Sequence, residues 1–416
     1  MSQSQPTTLR VNAERLRADF EALSAIGATP EGGVHRPALS PAHLAARGWF
    51  RERITSAGLE LRIDGAGNHS ARLPSASPNA PTLLLGSHLD SVPNGGRFDG
   101  ALGVLCALEV LRTLQDAGRF LPVDLEAIDL TDEEGAHLGL LGSRAIAGLL
   151  AKEDLDHLLE NPASAEALNH TGLTVEGILS ARRKADSLAG YLEVHIEQGS
   201  RLEQAGTEIG AVTGIVGIRW HRLSFIGRAD HAGTTPMEDR RDAAQGASAF
   251  ALAARQIVLD RFPGCVANVG RMTFSPGAFN VVPATVQVAL EHRAPDPDRL
   301  EEMEQVLLSE ARTRAERFGL ELAVKRLEAI NPMPMDAGMQ ETIHRAAEDL
   351  GLSHVSLPSG AGHDAQSLAR LCPAGMIFVP SVGGRSHSGQ EYTEWQDCVN
   401  GANVMLHSVL ELCQKS

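Results

Sequence analysis

Between residues 211 and 329 the alternation of apolar strands and amphipathic helices that governs both ends of the chain breaks off, and beyond it the alternation resumes. Upstream, Leu59 to Ile63, Pro81 to Ser87, Val123 to Leu130 and Leu192 to Ile196 read as strands. Leu9 to about Ile26 carries Leu16, Phe20 and Leu23 at the spacing of one buried helical face. Ser40-Pro41 starts a second helix, with a capping hydroxyl and a proline that needs no amide partner, and Ala57-Gly58 ends it. Gly100 to about Ala117 and Gly142 to Leu150 add two more. Strands interleaved with helices predict an α/β domain, a mixed central sheet covered by helices.

The interruption has another character. Gly210 to Ile226 is rich in Val, Ile and Gly, and a long helix follows from about Arg240 to Leu259. Cys265 to Phe274 and Thr285 to His292 alternate like strands with one exposed face; Leu300 to Phe318 is helical and Leu320 to Leu327 a further strand. Two helices and about four strands make a small α+β unit with one open sheet face. From Asn331 the first style returns, with helix Gln340 to Leu350, strand Gly375 to Val379 and a last helix to Leu412. The expected division is a catalytic domain over 1–210 and 330–416, with a smaller inserted domain over 211–329. Glu153 to Lys184 is expected to run as helical excursions over the core.

A chain of 416 residues is long enough for more than one core. Its formal net charge of -15 repels phosphate backbones and anionic membranes, which argues against nucleic acid or membrane as partner. The five cysteines, Cys106, Cys265, Cys372, Cys398 and Cys413, are odd in number and contain no CxxC pair. That argues against a disulfide framework and a thiolate zinc site and suits a reducing compartment. No signal pattern opens the chain and no apolar stretch approaches ~20 residues, so a cytoplasmic protein is expected.

Chemistry gathers just past the strands. Thr82-Leu-Leu-Leu-Gly-Ser87 delivers His88-Leu-Asp90 and then Arg97-Phe-Asp99-Gly100; Val123 to Leu130 delivers Glu133-Glu134; later come His195-Ile-Glu197-Gln198-Gly199 and Ser386-His387-Ser388. A ligating imidazole usually gives its second N–H to a carboxylate, a role open to Asp90 two residues from His88. Asp99, in a glycine-rich turn before a helix, suits a helix cap, a metal ligand, or both. Glu133 and Glu134 read alone as a solvated turn. As a pocketed pair they need a cation nearby, one binding it and the other free to take a proton from water that the metal makes acidic. Imidazole and carboxylate together suit Zn²⁺ or Mn²⁺.

These segments resemble the hydantoinase/carbamoylase amidases, a branch of the di-zinc aminoacylase- and carboxypeptidase-like hydrolases with a zinc-exopeptidase-like fold. The resemblance rests on Gly86 to Gly100, Thr131 to Gly135, His195 to Gly199 and Ser386 to Thr393. It rests also on Gly227-Arg-Ala-Asp-His231-Ala-Gly-Thr-Thr-Pro-Met237, Phe279-Asn280-Val-Val-Pro283 and Ser359-Gly-Ala-Gly362-His363-Asp364-Ala365. It implies two divalent ions (Zn²⁺, or Mn²⁺/Co²⁺) bridged by Asp99, one completed by His88 and His195, the other by Glu134 and His387. It also implies Glu133 as general base, Asp90 as partner of His88, and His231, Asn280, Arg293, Gln198 and Gly362 at the substrate. A histidine at position 195 sets this branch apart from many peptide-cleaving relatives. The inserted domain would be a lid through which a homodimer forms, His231 reaching the partner subunit's site. Without the resemblance Arg293 reads more simply as a surface ion pair, and Asp230 and Asp364 either orient the histidines beside them or cap helices. Ala136-His137-Leu138, Gly389 and Arg385 depart from the family pattern.

The expected reaction is hydrolysis of the carbamoyl C–N bond of an N-carbamoyl-L-amino acid, giving the amino acid, carbon dioxide and ammonia. Allantoate amidohydrolase and β-ureidopropionase are the alternatives within the branch; an aminoacylase or dipeptidase, or a non-catalytic binding protein on the same scaffold, lies further off.

Overall fold

The computed structural model describes residues 9–413. In chain order the strands are β1 (Glu60–Ile63), β2 (His69–Leu73), β3 (Thr82–His88), β4 (Asp124–Leu130), β5 (Leu188–Ile196), β6 (Ile209–Ile215) and β7 (Gly217–Ile226). They continue as β8 (Val266–Ser275), β9 (Thr285–Ala294), β10 (Glu321–Ile330), β11 (Met333–Pro334), β12 (His354–Ser359) and β13 (Ala374–Val379). One sheet has nine strands, ordered β1-β2-β4-β3-β5-β13-β6-β11 with β12 on β6; the other has four, ordered β10-β7-β9-β8. Strands β4, β3, β5 and β13 are consecutive parallel neighbours, whereas β1, β2 and β6 pair antiparallel. The larger sheet is therefore mixed, inside an α/β fold.

The chain divides into two compact units. The larger runs to Thr213 and resumes over Pro334–Leu357 and from Ala361 onward; the smaller is Gly214–Met333 with Pro358–Gly360. In the larger unit the parallel strands are buried along nearly their whole length, and every residue of β4 is buried, its three acidic side chains included. Two helices cover them. Ala101–Asp116 is buried continuously from Ala101 to Leu114, and Trp395–Leu412 is buried from Asn400 to Leu410. A helix apolar all round has to lie inside a core rather than on its surface. Ser40 caps the helix Pro41–Ser56, accepting the His43 N–H, and Gly58 follows it with φ of +70°. Residues 153–184 form three short helices, Lys152–Leu159, Pro162–Thr171 and Val175–Ser180, over their own small apolar cluster.

The smaller unit packs helices Ala243–Arg261 and Pro297–Arg317 on one face of its four strands. Strands β8 and β10 bound that sheet and are largely exposed, as an open sheet face requires. The Val-, Ile- and Gly-rich segment from Gly210 to Ile226 is two strands, with β6 joining the larger sheet and β7 the smaller. All five cysteines are buried and unbridged. Among the described residues no helix is long and apolar enough to cross a membrane.

Candidate metal centre

Because β4, β3, β5 and β13 run parallel and adjacent, their C-terminal ends open on one edge, where ligands of α/β sheets bind. His88 ends β3, Glu133 and Glu134 follow β4, His195 lies near the end of β5, and His387 follows β13. The turn after β4 is clamped by Asp132, held at a φ of +55°, whose carboxylate accepts the main-chain N–H groups of Ala136, His137 and Leu138. Only main chain is used, so the family departure at 136–138 leaves the turn intact. His137 is tied down by Ser164 Oγ at 3.1 Å and the Ala38 carbonyl at 3.2 Å. Gln198 and His387 also hold positive φ, +58° and +53°, so three non-glycine residues around the site sit in strained backbone.

Asp99 is central. Its Oδ1 lies 3.1 Å from His195 Nε2 and 3.6 Å from His88 Nε2, and its Oδ2 lies 3.3 Å from His387 Nε2. Glu134 Oε2 is 3.7 Å from His387 Nε2, and Glu133 Oε2 is 3.7 Å from His88 Nε2. Two sets of three ligand atoms result, His88–Asp99–His195 and Asp99–Glu134–His387, each within 4.8 Å of one another. A third such set, Glu193–His195–His363, shares His195. Asp99 does not cap the helix behind it; Gly100 occupies that position, and both Asp99 oxygens face imidazoles. Asp90 is arranged differently from the expected partner of His88. His88 Nδ1 meets the main-chain carbonyl of Asp90 at 3.1 Å, whereas the Asp90 carboxylate, 3.8 Å away, accepts the N–H groups of Glu133 and Glu134. Asp90 thus aims both glutamates.

Burial would raise the Asp99 carboxyl, but hydrogen bonds from His195 and His387 carry it well below the usual range. Burial opposes protonation of His195, yet Asp99 lifts it to about 9; the Asp99 hydrogen bond does the same for His387, also to about 9. Burial and then the Asp99 charge push Glu134 up to about 7. Glu133 is driven well above its ordinary value by burial, then by Asp364 and Glu134. Carboxylates crowded in a dry pocket call for positive charge. Gln198 donates its Nε2–H to Asp99 Oδ2 at 2.8 Å, while its Oε1 is buried with no hydrogen-bond partner among the described residues. The donor set, the excess of carboxylate and that orphaned oxygen all fit a pair of divalent ions with borderline-hard preference.

The remaining candidates lie in two places. His231 and Asn280 belong to the smaller unit, where an antiparallel bridge between His231 and Val281 sets them side by side. His231 Nδ1 accepts the N–H groups of Gly233 and Thr234 at 3.0 and 3.2 Å, which puts the ring proton on Nε2 and makes it a donor. Asp230 pairs with Arg228 rather than with His231. Arg293, on β9, forms an ion pair with Glu291 at 2.8 Å and donates to the Gly360 carbonyl at 2.8 Å. Gly362 is exposed in the larger unit, just before the buried His363 and Asp364. Asp364 stands at the N-cap of the Ala365–Leu368 turn without capping it.

A model of peptidase family M20/M25/M40 matches residues 84–411. The chain belongs to that family. N-carbamoyl-L-amino acid amidohydrolase of Geobacillus stearothermophilus is 38% identical over 407 residues, 97% of this chain and 99% of its own. Allantoate amidohydrolase of Bacillus subtilis is 32% identical over 399 residues, 94% of this chain and 96% of its own. The crystal structure of a hydantoinase/carbamoylase family amidase from Burkholderia ambifaria matches with a TM-score of 0.89 at 36% identity, covering 97% and 98%. This M20 chain is of the hydantoinase/carbamoylase type, with a mixed α/β fold and a second sheet.

Proposed function

We propose that the protein hydrolyses the carbamoyl C–N bond of an N-carbamoyl-L-amino acid, at a site where His88, His195, Glu134, His387 and the central Asp99 would hold two divalent ions. The observation that carries this reading is the two-sided placement of Asp99, one oxygen toward His88 and His195, the other toward His387. When bound, such ions would polarise the ureido carbonyl and acidify water.

The protein's own groups supply the rest. Glu133, aimed by Asp90, takes a proton from the attacking water and returns it to the nitrogen that leaves. Carbamate and the amino acid are the products, and carbamate breaks down to carbon dioxide and ammonia. His231 Nε2–H and the Asn280 amide are donors suited to the oxyanion of the tetrahedral intermediate. Arg293 has a planar fork for the substrate carboxylate, with Glu291 to be displaced or shared. The amidohydrolase relatives support cleavage at a ureido group.

The smaller unit serves in this reading as lid and dimerisation surface. Leu252 and Leu259 on helix Ala243–Arg261 and Val266 on the edge strand β8 are exposed, and a bare apolar edge of this kind suits pairing with a second copy.

The test is turnover after chelation and refilling with Zn²⁺, Mn²⁺ or Co²⁺, on an N-carbamoyl-L-amino acid, allantoate and β-ureidopropionate. Faster cleavage of the first supports the reading. Preference for allantoate moves the substrate but keeps the bond, and greater activity on N-acetyl amino acids or dipeptides overturns it.

A further inference from the structure

Glu391 is 3% exposed and has no part in the mechanism above. Its Oε1 accepts the main-chain N–H groups of Phe98 and Asp99 at 2.8 and 3.0 Å, and its Oε2 accepts the Ser386 hydroxyl at 2.7 Å. One carboxylate therefore fastens the loop bearing Asp99 to the loop bearing His387. Gly96 makes the seat possible, because a β-carbon there would overlap the Glu391 carboxylate.

Ser386 has a single hydroxyl proton and two carboxylates within reach: Glu391 Oε2 at 2.7 Å and Asp99 Oδ2 at 3.1 Å. Asp99 Oδ2 is the oxygen on the side of Glu134 and His387, and it already accepts the Gln198 amide. A hydroxyl proton on that oxygen would occupy a lone pair and oppose a cation. Where the proton goes matters.

We propose that Glu391 is a positioning residue for the second ion. It draws the Ser386 proton to itself, leaves Asp99 Oδ2 available to the ion shared with Glu134 and His387, and through Oε1 fixes the Asp99 main chain so that Oδ1 faces His88 and His195. The inference rests on the two-ion reading given above and assigns this chain's own means of keeping its bridging aspartate two-sided.

The experiment titrates the chelated full-length protein with Zn²⁺ alone, by calorimetry and without substrate, so that no rate enters. In Glu391→Gln the amide oxygen keeps the main-chain N–H groups while the amide nitrogen donates to Ser386, turning the hydroxyl proton onto Asp99. One of two ions is then expected to bind about 10- to 100-fold more weakly, the usual effect of altering a group that supports a ligand. Adding Ser386→Ala removes the proton, and the double variant should return to within about threefold of Ser386→Ala alone. Ser386→Ala alone should bind both ions as tightly as the parent, a check that stands even if the glutamine variant fails to fold.

Equal affinities in the parent and Glu391→Gln overturn the proposal while leaving the two-ion site in place. So does a weakened Glu391→Gln that Ser386→Ala does not rescue, or a tenfold loss in Ser386→Ala alone. A parent protein that takes up no ion overturns the two-ion reading itself.

Discussion

Gly100 lies so close to the His88 imidazole that a β-carbon on it would overlap the ring. With φ of +64° it also turns the chain from the Asp99 loop into the helix Ala101–Asp116. Absence of a side chain at one position thus sets both the angle of the His88 ring and the entry to a core helix.

Replacing Gly100 with alanine should therefore harm the site more than the fold. We expect at least a tenfold loss in Zn²⁺ affinity with a stability loss of about 1–3 kcal/mol. Calorimetric titration beside urea unfolding checks both, and unchanged metal affinity would remove His88 from the ligand set.

Glu133 should be separable from the ligands. In Glu133→Gln the site keeps its ligand atoms and loses only the proton acceptor, so metal content should persist while kcat falls about 10²–10⁴-fold. Elemental analysis with steady-state kinetics decides it; turnover at the parental rate would take the general base away from this residue.

His231→Ala should reduce kcat about 10–10³-fold without changing the metal content, since the proposed oxyanion donor is lost. Mixing it with an inactive Asp99→Asn protein should recover part of the activity if the histidine serves the partner subunit's site. No recovery, in mixtures shown by native mass spectrometry to contain hybrids, would place His231 at its own subunit's site.

The smaller unit should be sensitive to acid through His292. This ring is stacked on His221, is fully buried, and has no hydrogen-bond partner for either nitrogen among the described residues. Burial, then the charge of His221, lowers it to about 4 from 6.5. Between those values the unfolded chain holds the extra proton, so stability is complete above about pH 6.5 and drains as the pH falls toward 4. His292→Leu should narrow the difference in unfolding free energy between pH 7 and pH 5 by about 2 kcal/mol. An unchanged difference in urea melts would locate the acid sensitivity elsewhere.

How far these features could be foreseen follows from where their causes lie. His88, Glu134, His195 and His387 stand at or beyond the ends of largely apolar runs, and a run of that kind identifies a strand end without any knowledge of its neighbours. Asp99 was legible as an acidic residue in a glycine-rich turn, but whether it capped or ligated depended on His195 and His387 arriving from other strands. Strand β2, His-Ser-Ala-Arg-Leu, was missed because polar residues obscure its alternation; its place between β1 and β4 is a matter of pairing. The split of Gly210 to Ile226 into β6 and β7 was hidden because only Val216 lies between the two strands, too little to mark a break. Glu391 and Asp90 act on main-chain N–H groups, which residue type does not disclose. Arg293 turned up in the ion pair that its surroundings alone suggested, with the carboxylate role left to the substrate assay.

The continuous burial of helix Ala101–Asp116 ties catalysis to melting. Its first turn grows out of the loop that presents Asp99, so this carboxylate cannot drift without disturbing the interior, and a disordered interior cannot present it. Heat and chelator then act on one equilibrium from opposite ends, and stripping the ions should lower the temperature at which the larger unit melts.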